Sequence, residues 1–273
     1  MALLLDSLLS SRVFASSIVH LALSGNDIGP GSKEASSSLT TLLGKVVHLK
    51  TLELSNTNID ISDVAKALSY TAIPTLEHLD LSLNRLTGAN ISVLTNFLSL
   101  SHRLCWLGLR NCRISGTDIE TIVGALGGNS RLANQLVMVD LASNELGSRK
   151  TDAESLCRVL CGTPNLYGVC LQDNKFKTRD LVGLVNSLPR GSVRRLELGC
   201  LKKSQAKEVI PALIDSCLVA GGGCLESLLL NGDDKRTYSP ELMAALFDAL
   251  ADNYSLLHLD ISNNHLGEAV RYS

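Results

Sequence analysis

Histidine and aspartate stand two residues apart at His78–Asp80 and again at His258–Asp260. On a β-strand that spacing puts both side chains on one face, where a carboxylate could orient an imidazole as a general base. No serine or cysteine nucleophile stands beside either pair. The chain also has no G-x-S-x-G, no H-E-x-x-H and no phosphate-binding loop. Two solvated residues on an open sheet would look the same, so the pairs predict no enzyme and no cofactor. Cys157 and Cys161 are four apart, which on a helix would aim two zinc ligands the same way, but no histidine or second pair accompanies them. The remaining cysteines (Cys105, Cys112, Cys170, Cys200, Cys217 and Cys224) are scattered without a Cys-x-x-Cys. All eight are expected to be reduced, small residues of a cytosolic core. The glycine-rich "AGGGCLE" (220–226) precedes a strand instead of following one, so it predicts a loose helix-to-strand connection.

What would position any of these side chains is a repeat. In "LLHLDISNNHLGE" (256–268) the apolar residues Leu256, Leu259, Ile261 and Leu266 fall at offsets 0, 3, 5 and 10, with Asn264 at offset 8. The same frame starts at residues 18, 49, 76, 104, 136 and 166, and in damaged form at 193 and 225. Neither a helix nor a strand has this period; a leucine-rich repeat does. The central x-Leu-x is a short strand whose leucine points into the core and whose neighbours point out. Asn26, Asn84, Asn144, Asn174 and Asn264, with Thr57 and Cys112 in two copies, are expected to bond the unpaired backbone of the following turn.

The rest of each repeat has helical patterning. "TDIETIVGAL" (117–126) and "TDAESLCRVL" (151–160) open on Thr with Glu120 and Glu154 three residues later, a capping-box spacing. "SPELMAALFDALA" (239–251) opens with a serine cap and Pro240 in the first turn. "DVAKALSY" (63–70) and "KEVIPALIDSCL" (207–218) occupy the same place, and Pro211 is expected to bend or shorten the second. The fold class is therefore α/β: a ribonuclease-inhibitor-like horseshoe solenoid with a parallel sheet on the concave face and helices on the convex face. The whole of 1–273 reads as one domain of about nine repeats. "MALLLDSLLS" lacks a basic start and is interrupted by Asp6, so it reads as the helix of an incomplete first repeat, not a signal peptide. No apolar run approaches the ~18 residues of a membrane-spanning helix. A net charge of −2 argues against a nucleic-acid partner.

The concave face is the remaining candidate for function. The residues after the strand leucines include Glu53, Asp80, Asp140, Glu197 and Asp260, an acidic row. The row before them holds His78, Met138 and Trp106, the one tryptophan of the chain, which the frame places in the open. An exposed Trp beside Met, flanked by carboxylates, is suited to anchoring a basic or apolar segment of a partner protein.

From "LEHLDLSLNRL" onward the sequence resembles the leucine-rich repeat domain of the CARMIL family, the linkers of capping protein and myosin I. The likeness is most specific in "GGNSRLANQLVMVDLASNELG", in the damaged pair "RLELGCLKKSQAKEVIPALIDSCLVAGGGCLESLLLNGDD", and in "LADNYSLLHLDISNNHLG". The resemblance implies a non-catalytic, cytoplasmic scaffold at the cell cortex that regulates actin assembly. It also implies a pleckstrin-like domain before the repeats, with a helical dimerisation region and a capping-protein-binding tail after them. None of these is in this sequence, so peripheral membrane association would come only through such parts. Alternatives are a generic ribonuclease-inhibitor-type or tropomodulin-like binding module, or a leucine-rich GTPase-activating protein. Because "HLGEAVRYS" is not a polar cap, the chain is expected to be a piece of a longer solenoid that self-associates through its last repeat.

Overall fold

The structure, a computed structural model, describes residues 1–71, 75–86, 88–220, 223–233, 235 and 238–264. The chain divides into two compact units, Met1–Asp140 and Leu141–Ser273.

The first unit opens with α1 (Ala2–Ser10) and α2 (Arg12–Ser17). Strands β1 (His20–Ala22), β2 (Thr51–Glu53), β3 (His78–Asp80), β4 (Trp106–Gly108) and β5 (Met138–Asp140) then pair in parallel in chain order. Leu21, Leu52, Leu79, Leu107 and Val139 are aligned in register and buried. The helices between them are α3 (Lys33–Leu43), α4 (Ile61–Thr71), α5 (Ala89–Leu100), α6 (Gly116–Gly128) and the short α7 (Ser130–Ala133). In α4, Ile61, Val64, Ala65 and Leu68 recur at helical spacing and all are buried. A fully buried leucine of this kind contributes roughly 1.5–3 kcal/mol. The N-terminal helix packs on α3: Leu5 has no exposure, and the Asp6 carboxylate accepts a 2.6 Å bond from Ser38 Oγ.

The second unit repeats the plan with α8 (Lys150–Gly162), β6 (Gly168–Cys170), α9 (Thr178–Ser187), β7 (Arg195–Glu197), α10 (Lys203–Cys217), β8 (Ser227–Leu229), α11 (Pro240–Leu250) and β9 (His258–Asp260). Its strands are also parallel and in chain order. Every strand lies on the three residues that the repeat frame assigns it, including those of the damaged repeats at 193 and 225. The architecture is an α/β leucine-rich repeat fold.

The offset-8 residues form the expected ladder. Asn84 Nδ2 donates to Leu54 O at 2.7 Å and Leu81 O at 3.0 Å, while its Oδ1 accepts the Thr57 N–H at 3.1 Å. Asn174 reaches Leu141 O and Leu171 O, and Asn264 reaches Leu230 O and Ile261 O. The two replacements behave likewise: Thr57 Oγ1 donates to Leu54 O at 2.7 Å and Cys112 Sγ to Leu81 O at 3.2 Å. Each thus closes the turn after its own strand, and several also grip the preceding repeat.

The helix starts depart from expectation. The caps of α6 and α8 are Ser115 and Arg149, not Thr117 and Thr151. The bonding carboxylates are Asp118, which accepts the Ser115 N–H at 3.1 Å, and Asp152, which accepts the Arg149 N–H at 3.2 Å. Both helices begin two residues earlier than the Thr positions suggest, so an aspartate, not the following glutamate, falls at the third helical position. Pro211 does not shorten α10; it lies inside a 15-residue helix on an exposed position, where water can satisfy the carbonyl its ring leaves unpaired. Ser239 caps α11 as expected, accepting from the Leu242 N–H at 3.4 Å. In the last repeat Leu256, Leu259 and Ile261 are half-buried, where the equivalent Leu225, Leu228 and Leu230 are closed from solvent. Leu266 and the rest of 265–273 lie outside the described residues.

Candidate functional site

The strand faces of the first unit bring together most of the residues singled out in the sequence. Pairing sets His78 beside Trp106 and Trp106 beside Met138, and in the next row Glu53 beside Asp80 and Gly108 beside Asp140. Trp106 does not stand in the open. Its ring stacks flat on the His78 imidazole, with centroids 4.1 Å apart and planes 5° apart, and the residue is half-buried. The cause is Gly108. A Cβ there would overlap the Trp106 ring and the Asp80 carboxylate, so the missing side chain is the space into which the indole lies down. One edge of the stacked pair therefore faces the Glu53 and Asp80 carboxylates.

The acidic row is smaller than its sequence implies. Asp140 is buried and paired with Arg110 at 2.8 Å, and in the second unit Glu197 is buried and paired with Arg195 at 2.7 Å. Asp260 is part-exposed, and hydrogen bonds from Ser262 hold its carboxyl below the usual range. In the first unit Glu53 and Asp80 are both part-exposed, and among the described residues neither has a lysine or arginine partner. Nothing in the sequence pattern foretold the Arg110–Asp140 pair, because the partners are 30 residues apart and follow no repeat position in common. The glycine at 108, where neighbouring repeats carry acids, was a usable signal for the folded-down indole.

The same geometry tunes His78. Burial against Trp106 pushes its pKa below the ordinary 6.5, outweighing the opposite pull of Glu53 and Asp80. The neutral ring is therefore favoured in the fold. A histidine depressed on folding destabilises the fold once the unfolded chain takes its proton, so stability is full above 6.5 and falls as the pH drops through that value toward the folded pKa. A protonated imidazole stacked on indole quenches its emission. Trp106 fluorescence is expected to drop on acidification with a midpoint below 6.5, and His78→Phe should abolish that step. A midpoint above 6.5 would contradict the burial argument.

His258 and Asp260 share a strand face in the second unit, and Cys157 and Cys161 lie together on α8. Among the described residues no three His, Cys, Asp or Glu side chains are grouped as metal ligands, and no helix is long and apolar enough to cross a membrane.

The sequence is similar to several known proteins. A family model described as "Leucine Rich repeat" matches residues 72–89. The mouse "Capping protein, Arp2/3 and myosin-I linker protein 2" is 28% identical over 96% of this chain and 20% of its own length. "Protein CARMIL" of Dictyostelium discoideum is 28% identical over 93% of this chain and 24% of its own. The "Rho GTPase-activating protein gacW" of the same organism is 26% identical over 96% and 20%. A solved leucine-rich repeat protein, LegL7 of Legionella pneumophila, aligns over 92% of this chain and 86% of its own with 18% identity and a TM-score of 0.49. The chain spans about a fifth to a quarter of the length of the curated relatives named here. The chain is similar to CARMIL proteins over nearly its whole length, and together with the repeat match this supports a repeat-based module for protein interaction.

Proposed function

We propose that this chain is the non-catalytic scaffold portion of a CARMIL-like regulator of actin assembly, cytoplasmic and working near the cell cortex, and that it docks a protein partner on the strand face of its first unit. The observation that carries the docking face is the His78–Trp106 stack edged by Glu53 and Asp80, two carboxylates with no lysine or arginine partner among the described residues. An aromatic surface beside part-exposed carboxylates suits an arginine or lysine side chain, which gains both a cation–π contact and an ion pair. Met138 on the next strand extends the apolar part. Asp140 remains a candidate contact on this face, and Glu197 and Asp260 remain candidates on the second unit's own strand face, but arginines already offset Asp140 and Glu197, which should contribute less.

The relatives differ in what their names say they link or activate. That fits a module whose specificity lies in exposed strand residues rather than in its frame. In capture experiments from cell extract, Trp106→Ala is expected to weaken partner recovery about thirtyfold, the ~2 kcal/mol typical of a tryptophan hot spot. Glu53→Gln with Asp80→Asn should weaken it further at low salt than at high salt. Equal recovery by Trp106→Ala, with native circular dichroism, would remove this face from consideration. A GTPase-activating reading predicts instead that the chain accelerates GTP hydrolysis by a Rho-type GTPase, which a turnover assay decides.

A further inference from the structure

Residues 221 and 222 of the glycine-rich stretch lie outside the described residues, and two cysteines flank them. Cys217 ends α10, and Cys224 lies just before β8. The Cys224 N–H donates to the Cys217 carbonyl at 3.1 Å, which brings the two residues together. Gly223 makes that approach possible, since a Cβ there would overlap the Cys217 carbonyl and crowd Leu218. A backbone bond between the two residues holds their Cα atoms within the span that a disulfide bridges. Their thiols are close enough to perturb each other's ionisation.

We propose that Cys217 and Cys224 are a peroxide-sensitive dithiol that oxidises to an intramolecular disulfide, a modification site at the junction of α10 and β8. The two sulfurs are not equivalent. Cys217 has no exposure, with its Sγ directed at the Val185 carbonyl at 3.6 Å, whereas Cys224 is part-exposed. The neighbouring Cys217 thiol, assisted by the Arg194 charge, holds the Cys224 thiol below its ordinary pKa, while the neighbouring Cys224 and burial raise that of Cys217. Cys224 is thus the attacking sulfur and Cys217 the resolving one.

The chemistry balances with a hydroperoxide as oxidant. The Cys224 thiolate attacks one peroxide oxygen, the O–O bond breaks, hydroxide leaves, and Cys224 becomes a sulfenic acid. The Cys217 sulfur then attacks the Cys224 sulfur. The S–S bond forms as the S–O bond breaks, and the Cys217 proton departs with the hydroxide as water. Two thiols lose two hydrogens and hydrogen peroxide is reduced to two waters.

Brief treatment of the reduced chain with hydrogen peroxide, then blocking of free thiols and non-reducing peptide mapping, tests this. The expected product is one peptide pair joined through 217 and 224, reversed by dithiothreitol, formed about tenfold faster than any oxidation of the exposed Cys161. Cys217→Ser should stop the reaction at a Cys224 sulfenic acid trapped by dimedone, and Cys224→Ser should leave Cys217 reduced. The proposal fails if Cys224 stays alkylatable while Cys161 is oxidised. It fails equally if oxidised Cys224 pairs with a sulfur other than Cys217.

Discussion

Asn84→Ala is expected to lower the stability of the first unit by about 3 kcal/mol. The side chain is 2% exposed and makes bonds on both sides. Its amide donates to carbonyls of two successive repeats, at Leu54 and Leu81, and its oxygen holds the Thr57 N–H. Alanine leaves that N–H buried without a comparable acceptor, and no water can reach it without opening the turn. Asn26 is the internal control. It occupies the same frame position but is half-buried, and its amide reaches Leu23 O and Ser24 O within its own repeat. Asn26→Ala should cost nearer 1 kcal/mol. Urea unfolding followed by Trp106, the one tryptophan, reports the first unit selectively. Equal losses for the two variants would mean that the reach between repeats contributes nothing.

In the second unit the most damaging single change is expected to be Gly147→Val. Gly147 has φ +85, a left-handed conformation that costs an L-residue about 1–2 kcal/mol, more if β-branched. A Cβ there would also overlap the backbone of Phe176, which is itself 4% exposed in the core. The Gly147 N–H is held by Asp152, the carboxylate that starts α8, so the turn cannot move away without giving up that helix start. Together these give a loss of about 3–5 kcal/mol, seen as a lower thermal midpoint by circular dichroism. Gly183→Ala should do the opposite. Gly183 is exposed inside α9 with nothing near its absent Cβ, and alanine there should gain about 0.5–1 kcal/mol.

The leucine frame made the strands legible because each strand is three residues long and its register is fixed by one buried leucine. A slip by one residue would turn Leu52 or Leu107 out to solvent, so even the damaged repeats at 193 and 225 keep Leu196 and Leu228 in place. Helix starts were less legible, since the cap depends on where the preceding turn releases the chain. Asp118 and Asp152 won that position over Glu120 and Glu154 for this reason. The candidate site was legible as a list of residues but not as a surface. Its shape depends on what lies across the strands: the void at Gly108 that lays Trp106 on His78, and the Arg110 side chain that offsets Asp140. Those contacts join residues two to thirty apart by spatial accident of the repeat length, and no periodic pattern encodes them.

The turn ladder also constrains how such a gene can lengthen or shrink. Asn84, Asn174 and Asn264 each bind the carbonyl at one fixed frame position in the preceding repeat: Leu54, Leu141 and Leu230. Excising a stretch that runs from one frame position to the same position in the next repeat, such as Leu49 to Thr75, joins equivalent partners and leaves every remaining bond with an acceptor of the right kind. Excising any other length puts a ladder residue opposite a wrong carbonyl and turns a core leucine outward. The whole repeat is thus the quantum of duplication and loss, and tolerated length changes within one repeat are confined to the segments between helix and strand, which is where the 27–32-residue spread of repeat lengths is accommodated.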